Sequence, residues 1–113
     1  MPSDFERLTA YRLAVELSDP IYRAVVRWPS FDRWSTGIQL MRAIDSVGAN
    51  IAEAAGRHHI SERRQFLRVA RGSLYETEHW LGRARSRGLL DGWHETDQLA
   101  RALNGLIKRP GPS

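Results

Sequence analysis

The chain has 113 residues, of which 42% are hydrophobic, and 17 basic residues against 13 acidic ones give a net charge of +4. That length suits one compact domain and leaves no room for a second. The absence of cysteine excludes disulfides, thiolate metal sites and a cysteine nucleophile; no apolar run approaches the roughly 20 residues of a membrane span, and Met1 to Arg7 lacks the apolar core of a signal peptide, so a soluble cytoplasmic protein is expected.

From Asp4 to Trp28 the residues Phe5, Leu8, Tyr11, Val15, Tyr22 and Val25 recur at steps of three and four, which predicts a helix burying that stripe, capped by Asp4. Pro20 lacks a backbone donor and should kink or split the helix near Asp19, and Trp28-Pro29 should end it. Ser35 or Thr36 can cap a second helix that buries Leu40, Ile44, Val47, Ile51 and Ala55 and stops near Gly56. After a turn at His58 to Ile60, Ser61 caps a third helix with Phe66, Leu67, Ala70, Leu74, Thr77, Leu81 and Ala84 on its buried side, ending at Gly88. A shorter fourth helix starts after Asp91 and buries Trp93, Leu99, Leu103, Leu106 and Ile107. Short turns and the lack of strand-like alternation predict an all-α, up-down-up-down antiparallel four-helix bundle over residues 1–108, followed by a flexible tail at 109–113.

Helix two carries a second stripe. At about 100° per residue, Gln39, Ser46, Asn50, Glu53 and Arg57 fall near one line, a quarter turn from the core stripe. Ser46, Gly48 and Asn50 are poor helix formers, so some contact should offset their cost of a few tenths to about 1 kcal/mol each. A buried polar contact surface, between helices or between subunits, would do so; a solvated flank is the competing reading. An antiparallel turn near His59 would set Arg42 level with Glu76, as an ion pair, and Ser46 level with Gly72-Ser73, where close approach would explain the mid-helix glycine.

The charge is unevenly placed. Residues 1–57 hold seven arginines and seven acids, so the whole net charge lies in residues 58–113. On helix three, Arg64, Arg68, Arg71 and Tyr75 lie within about 60° of one another, with Arg57 and Arg63 beside its start. Guanidinium groups suit phosphate and Tyr75 suits stacking on a base, so this face is the candidate surface for RNA or DNA. Sixteen of the 17 cations are arginine, which genomic base composition explains as well as function does, and a solvated arginine-rich face is the plain alternative. No RNA-recognition, zinc-finger or helix-turn-helix signature is present.

Catalysis and metal binding have weaker support. Adjacent His58 and His59 point about 100° apart on a helix, and the pairings of His79 with Glu76 and Glu78, or of His94 with Asp97, lack the second facing pair of di-metal bundles. Ser46 and Ser73 have no histidine at helical spacing, and no glycine-rich phosphate loop precedes a helix. No enzyme activity, cofactor or metal is expected.

Three stretches resemble the bacterial 23S rRNA-intervening sequence protein family, which includes accessory proteins of diversity-generating retroelements. They are Phe5-Glu6-Arg7-Leu8 with Tyr11-Arg12 and Ala14; Gln39 to Ala43, Ser46-Val47, Ala49 to Glu53 and Gly56-Arg57; and Phe66-Leu67, Ala70, Gly72-Ser73-Leu74 and Glu76. Ala54 departs from the glycine common in the family at that position. The resemblance implies a four-helix subunit in a ring-like homopentamer, suspected nucleic-acid binding and no established enzymatic activity. Combined with the basic face, the expectation is a homo-oligomer that binds nucleic acid without base-specific readout. The alternatives are an adaptor for a protein encoded nearby, or a structural oligomer without a ligand.

Overall fold

The computed structural model describes residues 2–92 and 94–110, with side chains described from Leu8 onward. Four helices carry the fold: α1 (Pro2–Val25), α2 (Ile38–Ala55), α3 (Ile60–Ser86) and α4 (Asp97–Lys108). No strand occurs among the described residues, and no helix among them is long and apolar enough to cross a membrane. Four pairs pack together, namely α1 with α2, α2 with α3, α3 with α4 and α4 with α1, which makes an elongated helical bundle of 46 × 21 × 18 Å. Contacting positions run in opposite senses: Thr36 meets Arg87 while Ser46 meets Ser73, and Arg64 meets Ile107 while Glu78 meets Thr96.

The core is aliphatic and built in layers. Leu40, Ile44, Val47 and Ile51 of α2 and Leu67, Leu74 and Leu81 of α3 are nearly or fully buried, with Thr77 among them. Leu99, Leu103, Leu106 and Ile107 close the core from α4. The Thr77 hydroxyl is satisfied by donating to the Ser73 carbonyl at 2.7 Å, one turn back. Ala55, expected inside, is exposed, and Ala54 takes its place.

α1 buries a different stripe from the one its bulky residues suggest. Ala10, Ala14, Leu17, Ile21 and Val25 face the core, whereas Leu8, Tyr11, Val15 and Tyr22 are exposed; the Phe5 side chain lies outside the described residues. Two apolar stripes share this helix, and the smaller residues win the core because they let the helices approach closely. The helix begins at Pro2, where the missing N–H costs no hydrogen bond, so Asp4 lies within the first turn and is not its cap. Pro20 is accommodated inside one continuous helix. The helix ends at Val25, and Val26 to Trp28 turn away from it with Trp28 buried.

The entry to α2 is also different. One α-turn at Ser30–Asp32 and a π-helical turn at Arg33–Gly37 lead into the helix, with no side-chain cap from Ser35 or Thr36. Ser35 Oγ donates back to the Phe31 carbonyl at 2.6 Å, and buried Thr36 accepts from Arg87 Nη1. Gly37 is required here, because a Cβ would sit 2.9 Å from Val25 Cγ1. At α3 the N-cap is His59 in extended conformation, two residues earlier than expected, and Ser61 lies within the first turn. The C-terminus of α3 is a Schellman motif: Gly88 has φ 73°, its N–H donates to the Arg85 carbonyl, and the Leu89 N–H donates to the Ala84 carbonyl at 2.9 Å. α4 starts at Asp97 rather than just after Asp91, and Trp93 lies outside the described residues. The expected flexible tail is held at its start, since Pro110 is buried; residues 111–113 lie outside the described residues.

Candidate nucleic-acid interface

The arginines of α3 divide into three kinds. Arg63 is buried, at 5% exposure, and all of its guanidinium nitrogens donate to backbone carbonyls: Nε to Arg57 at 2.9 Å, Nη2 to His58 at 2.9 Å and Nη1 to Pro110 at 3.1 Å. It sutures the α2–α3 turn to the residues after α4. A ligand role was expected for it, and the structure corrects this: its donors are spent, because at this position the first turn of α3 points at the end of α4.

Arg64 and Arg71 are half-buried against α4. Arg64 Nε donates to the Ile107 carbonyl at 2.8 Å, near the negative end of that helix, and Arg71 Nη1 donates to Asn104 Oδ1 at 3.0 Å. Each contact uses one of the donors in the guanidinium fork. Arg68 and Tyr75 are exposed between and beyond them, so the set Arg64, Arg68, Arg71 and Tyr75 does share one surface, the outer edge of the α3–α4 seam. Arg57 stands apart. It pairs with Glu53 at 2.8 Å, reaches Glu62 at 4.0 Å, and lies over the Phe66 ring at 4.8 Å, so its charge is already answered and Phe66 is only partly buried.

Periodicity within α3 missed the contribution of α4. Residues 64–75 contain no acid, nor do residues 98–110, and the contacts from Arg64 and Arg71 bring these two acid-free segments side by side. Arg101, Lys108 and Arg109, all exposed, line a shallow groove of 660 Å³ between α4 and α1, with Asn104 and Thr9 beside them. The missed signal was available in the sequence as a second run without a carboxylate, but placing it against α3 required the fold.

The middle of the polar stripe of α2, Ser46 and Asn50, forms a seam with α3. Ser73 Oγ donates to Ser46 Oγ at 2.9 Å, and Asn50 Nδ2 donates to Ser46 Oγ at 3.0 Å and to its carbonyl at 2.8 Å. Ser46, Asn50 and Ser73 are thus brought together as helix-packing contacts. Gln39, Arg42, Glu53, Gly72 and Glu76 are exposed. No ion pair among the described residues joins Arg42 to Glu76: Ser46 is level with Ser73 rather than Gly72, and a one-residue shift turns position 76 by about 100°. Gly72 meets no close neighbour, since a Cβ there would have nothing within 4 Å. Close approach therefore does not explain it.

His58 and His59 are exposed in the turn, His79 stacks edge-on to neighbouring Trp80 at 4.8 Å, and no group of three or more potential metal ligands occurs among the described residues. His94 differs. Burial, reinforced by the nearby Arg85 charge, lowers its pKa below the usual 6.5, and its Nδ1 is buried without a hydrogen-bond partner.

Residues 6–109 match the family model described as 23S rRNA-intervening sequence protein, leaving only five residues before the match and four after it. The chain belongs to that family. A comparison with curated proteins returns no match.

Proposed function

We propose that this member of the 23S rRNA-intervening sequence protein family is a cytoplasmic homo-oligomer, a pentamer, that binds RNA or DNA by its phosphates and acts by binding rather than by catalysis. The observation that carries the reading is the pair of acid-free segments packed along the α3–α4 seam, where Arg64 bonds to Ile107 and Arg71 to Asn104, with Arg68 exposed on α3 and Arg101, Lys108 and Arg109 exposed on the α1 side of α4. Six cations on α3 and α4, with no acid in either segment, give a field that attracts polyanions, and repetition around an assembly multiplies it. Arg64 and Arg71 are held in place by α4 and retain free donors, so less side-chain entropy is lost when phosphate binds. Tyr75, exposed at the end of the row, supplies a stacking surface that any base can use. These contacts read charge and stacking, not base edges, so the binding is not sequence-specific.

Fluorescence anisotropy with a labelled 20-nucleotide single-stranded RNA tests this. The full chain should bind, and an Arg64→Ala/Arg68→Ala/Arg71→Ala variant that keeps its helical circular dichroism should lose at least tenfold in affinity. Equal affinity in the two proteins rejects the assignment to this edge. No binding by the unaltered chain to RNA or to DNA of the same length rejects nucleic acid as the ligand and favours a protein partner.

A further inference from the structure

The exposed apolar surface of this chain is concentrated on α1 and the segment that follows it. Leu8, Tyr11, Val15 and Tyr22 fall within about 60° of one line at 100° per residue, and Val26, Phe31 and Trp34 follow where the chain leaves that helix. Their exposures run from 37% to 82%. With about 200 Å² for an aromatic side chain and about 150 Å² for leucine or valine, the seven expose roughly 700 Å². About half of it lies on α1 and the rest on the segment that follows, and the sum approaches the roughly 800 Å² that each partner buries in a stable complex.

Shape and charge on the same face suit self-association. Beside the ridge runs a groove of 370 Å³ between α1 and α2, floored by Ala14, Ile44 and Gly48 and bordered by Ala49 and Ala52. Small residues there leave room for the large side chains that the ridge itself supplies. The exposed charges of this region balance in number, Arg12, Arg23 and Arg27 against Glu16, Asp19 and Asp45, with Arg12 and Glu16 paired at 3.7 Å and Asp45 accepting from Ser18 at 2.9 Å. A chain of net charge +4 repels its copies over the arginine-rich α3–α4 edge, but not over this one.

We infer that the outer face of α1 is the subunit interface, covered by a second copy of this chain, with the Leu8–Val26 ridge packed beside the α1–α2 groove. This rests on the assembly proposed above and names the surface that makes it. It also separates the two functions of the molecule, with self-association on α1 and polyanion binding on the α3–α4 edge.

Light scattering coupled to size-exclusion chromatography of the full chain at tens of micromolar decides it. The unaltered protein should run at a multiple of 12.9 kDa, and Val15→Glu and Tyr22→Glu should each run as a single chain with unchanged helical circular dichroism. Arg68→Ala should keep the mass of the unaltered protein. If the unaltered protein is a single chain, the interface and the proposed assembly fail together. If it is an oligomer and the α1 variants keep its mass, the interface assignment fails while assembly stands. Should a charged variant lose its helical signal, Trp34→Ser at the end of the ridge gives the same reading, with a halved or smaller mass expected and an unchanged one counting against the face.

Discussion

Replacing Arg63 separates a structural arginine from the ligand-facing ones. The substitution Arg63→Ala removes three hydrogen bonds to the carbonyls of Arg57, His58 and Pro110 and leaves a cavity at the junction of the α2–α3 turn with the end of α4. Each such bond contributes about 1 kcal/mol net, more where the donor is charged, and the released carbonyls regain some water. The sum is a loss of about 3 kcal/mol, a large share of a small domain's total stability. At about 4–6 °C per kcal/mol for a domain of this size, the melting midpoint should fall by roughly 12–18 °C. Lysine restores the charge but offers one ammonium in place of a three-pronged fork, so Arg63→Lys should recover only about half of the loss. Urea unfolding followed by circular dichroism measures both. At temperatures where the variant is folded, its affinity for single-stranded RNA should match that of the unaltered chain. A loss below about 1 kcal/mol, or an affinity loss without a stability loss, refutes the role assigned to Arg63.

Two glycines in helical segments should respond in opposite directions. Gly37→Ala drives a Cβ to 2.9 Å from Val25 Cγ1 and 3.3 Å from the Asp32 carbonyl, which should cost about 1–3 kcal/mol in thermal unfolding, whereas Gly72→Ala meets nothing and should stabilise by up to about 1 kcal/mol. Asn50→Leu removes both donations to Ser46 and should cost about 1 kcal/mol in urea unfolding, since the seam is only half-buried. The folded-state pKa of His94 lies below its unfolded value of 6.5, so the unfolded chain takes up the proton first, and stability should fall as pH drops through about 6.5. His94→Gln should flatten that part of the stability profile, as read from melting midpoints between pH 5 and 8.

Much of the fold was legible in the sequence because α2, α3 and α4 each carry a single apolar stripe, and Leu40 to Ile51, Leu67 to Ala84 and Leu99 to Ile107 are buried as their spacing requires. α1 carries two. Periodicity alone favours the bulky set at Leu8, Tyr11, Val15 and Tyr22, while close packing against α2 selects Ala10, Ala14, Leu17 and Ile21. The stripe misread as core is the surface that now calls for a partner. In the candidate site, Arg64, Arg68, Arg71 and Tyr75 do share an edge, because their common face is a matter of helical geometry. Arg63 was misplaced because its role depends on Pro110, 47 residues away, and Arg101, Lys108 and Arg109 were missed for the same kind of reason. Of the expected polar packing contacts between α2 and α3, only Ser46, Asn50 and Ser73 come together, one residue out of the expected register; Gln39, Arg42, Glu53, Gly72 and Glu76 are exposed, and Arg42 and Glu76 do not pair with each other.

The central claim, that the α3–α4 edge engages phosphates, is tested most directly by the salt dependence of single-strand binding. Each phosphate neutralised adds about 0.7 to the slope of log K against log salt. Arg68, Arg101 and Lys108 are exposed, so Arg68→Ala/Arg101→Ala/Lys108→Ala should leave the fold intact and lower that slope by about 2, a difference of about 16-fold in the affinity lost between 50 and 200 mM salt. An unchanged slope in this variant, with binding by the unaltered chain still present, would place the phosphates elsewhere and contradict the account.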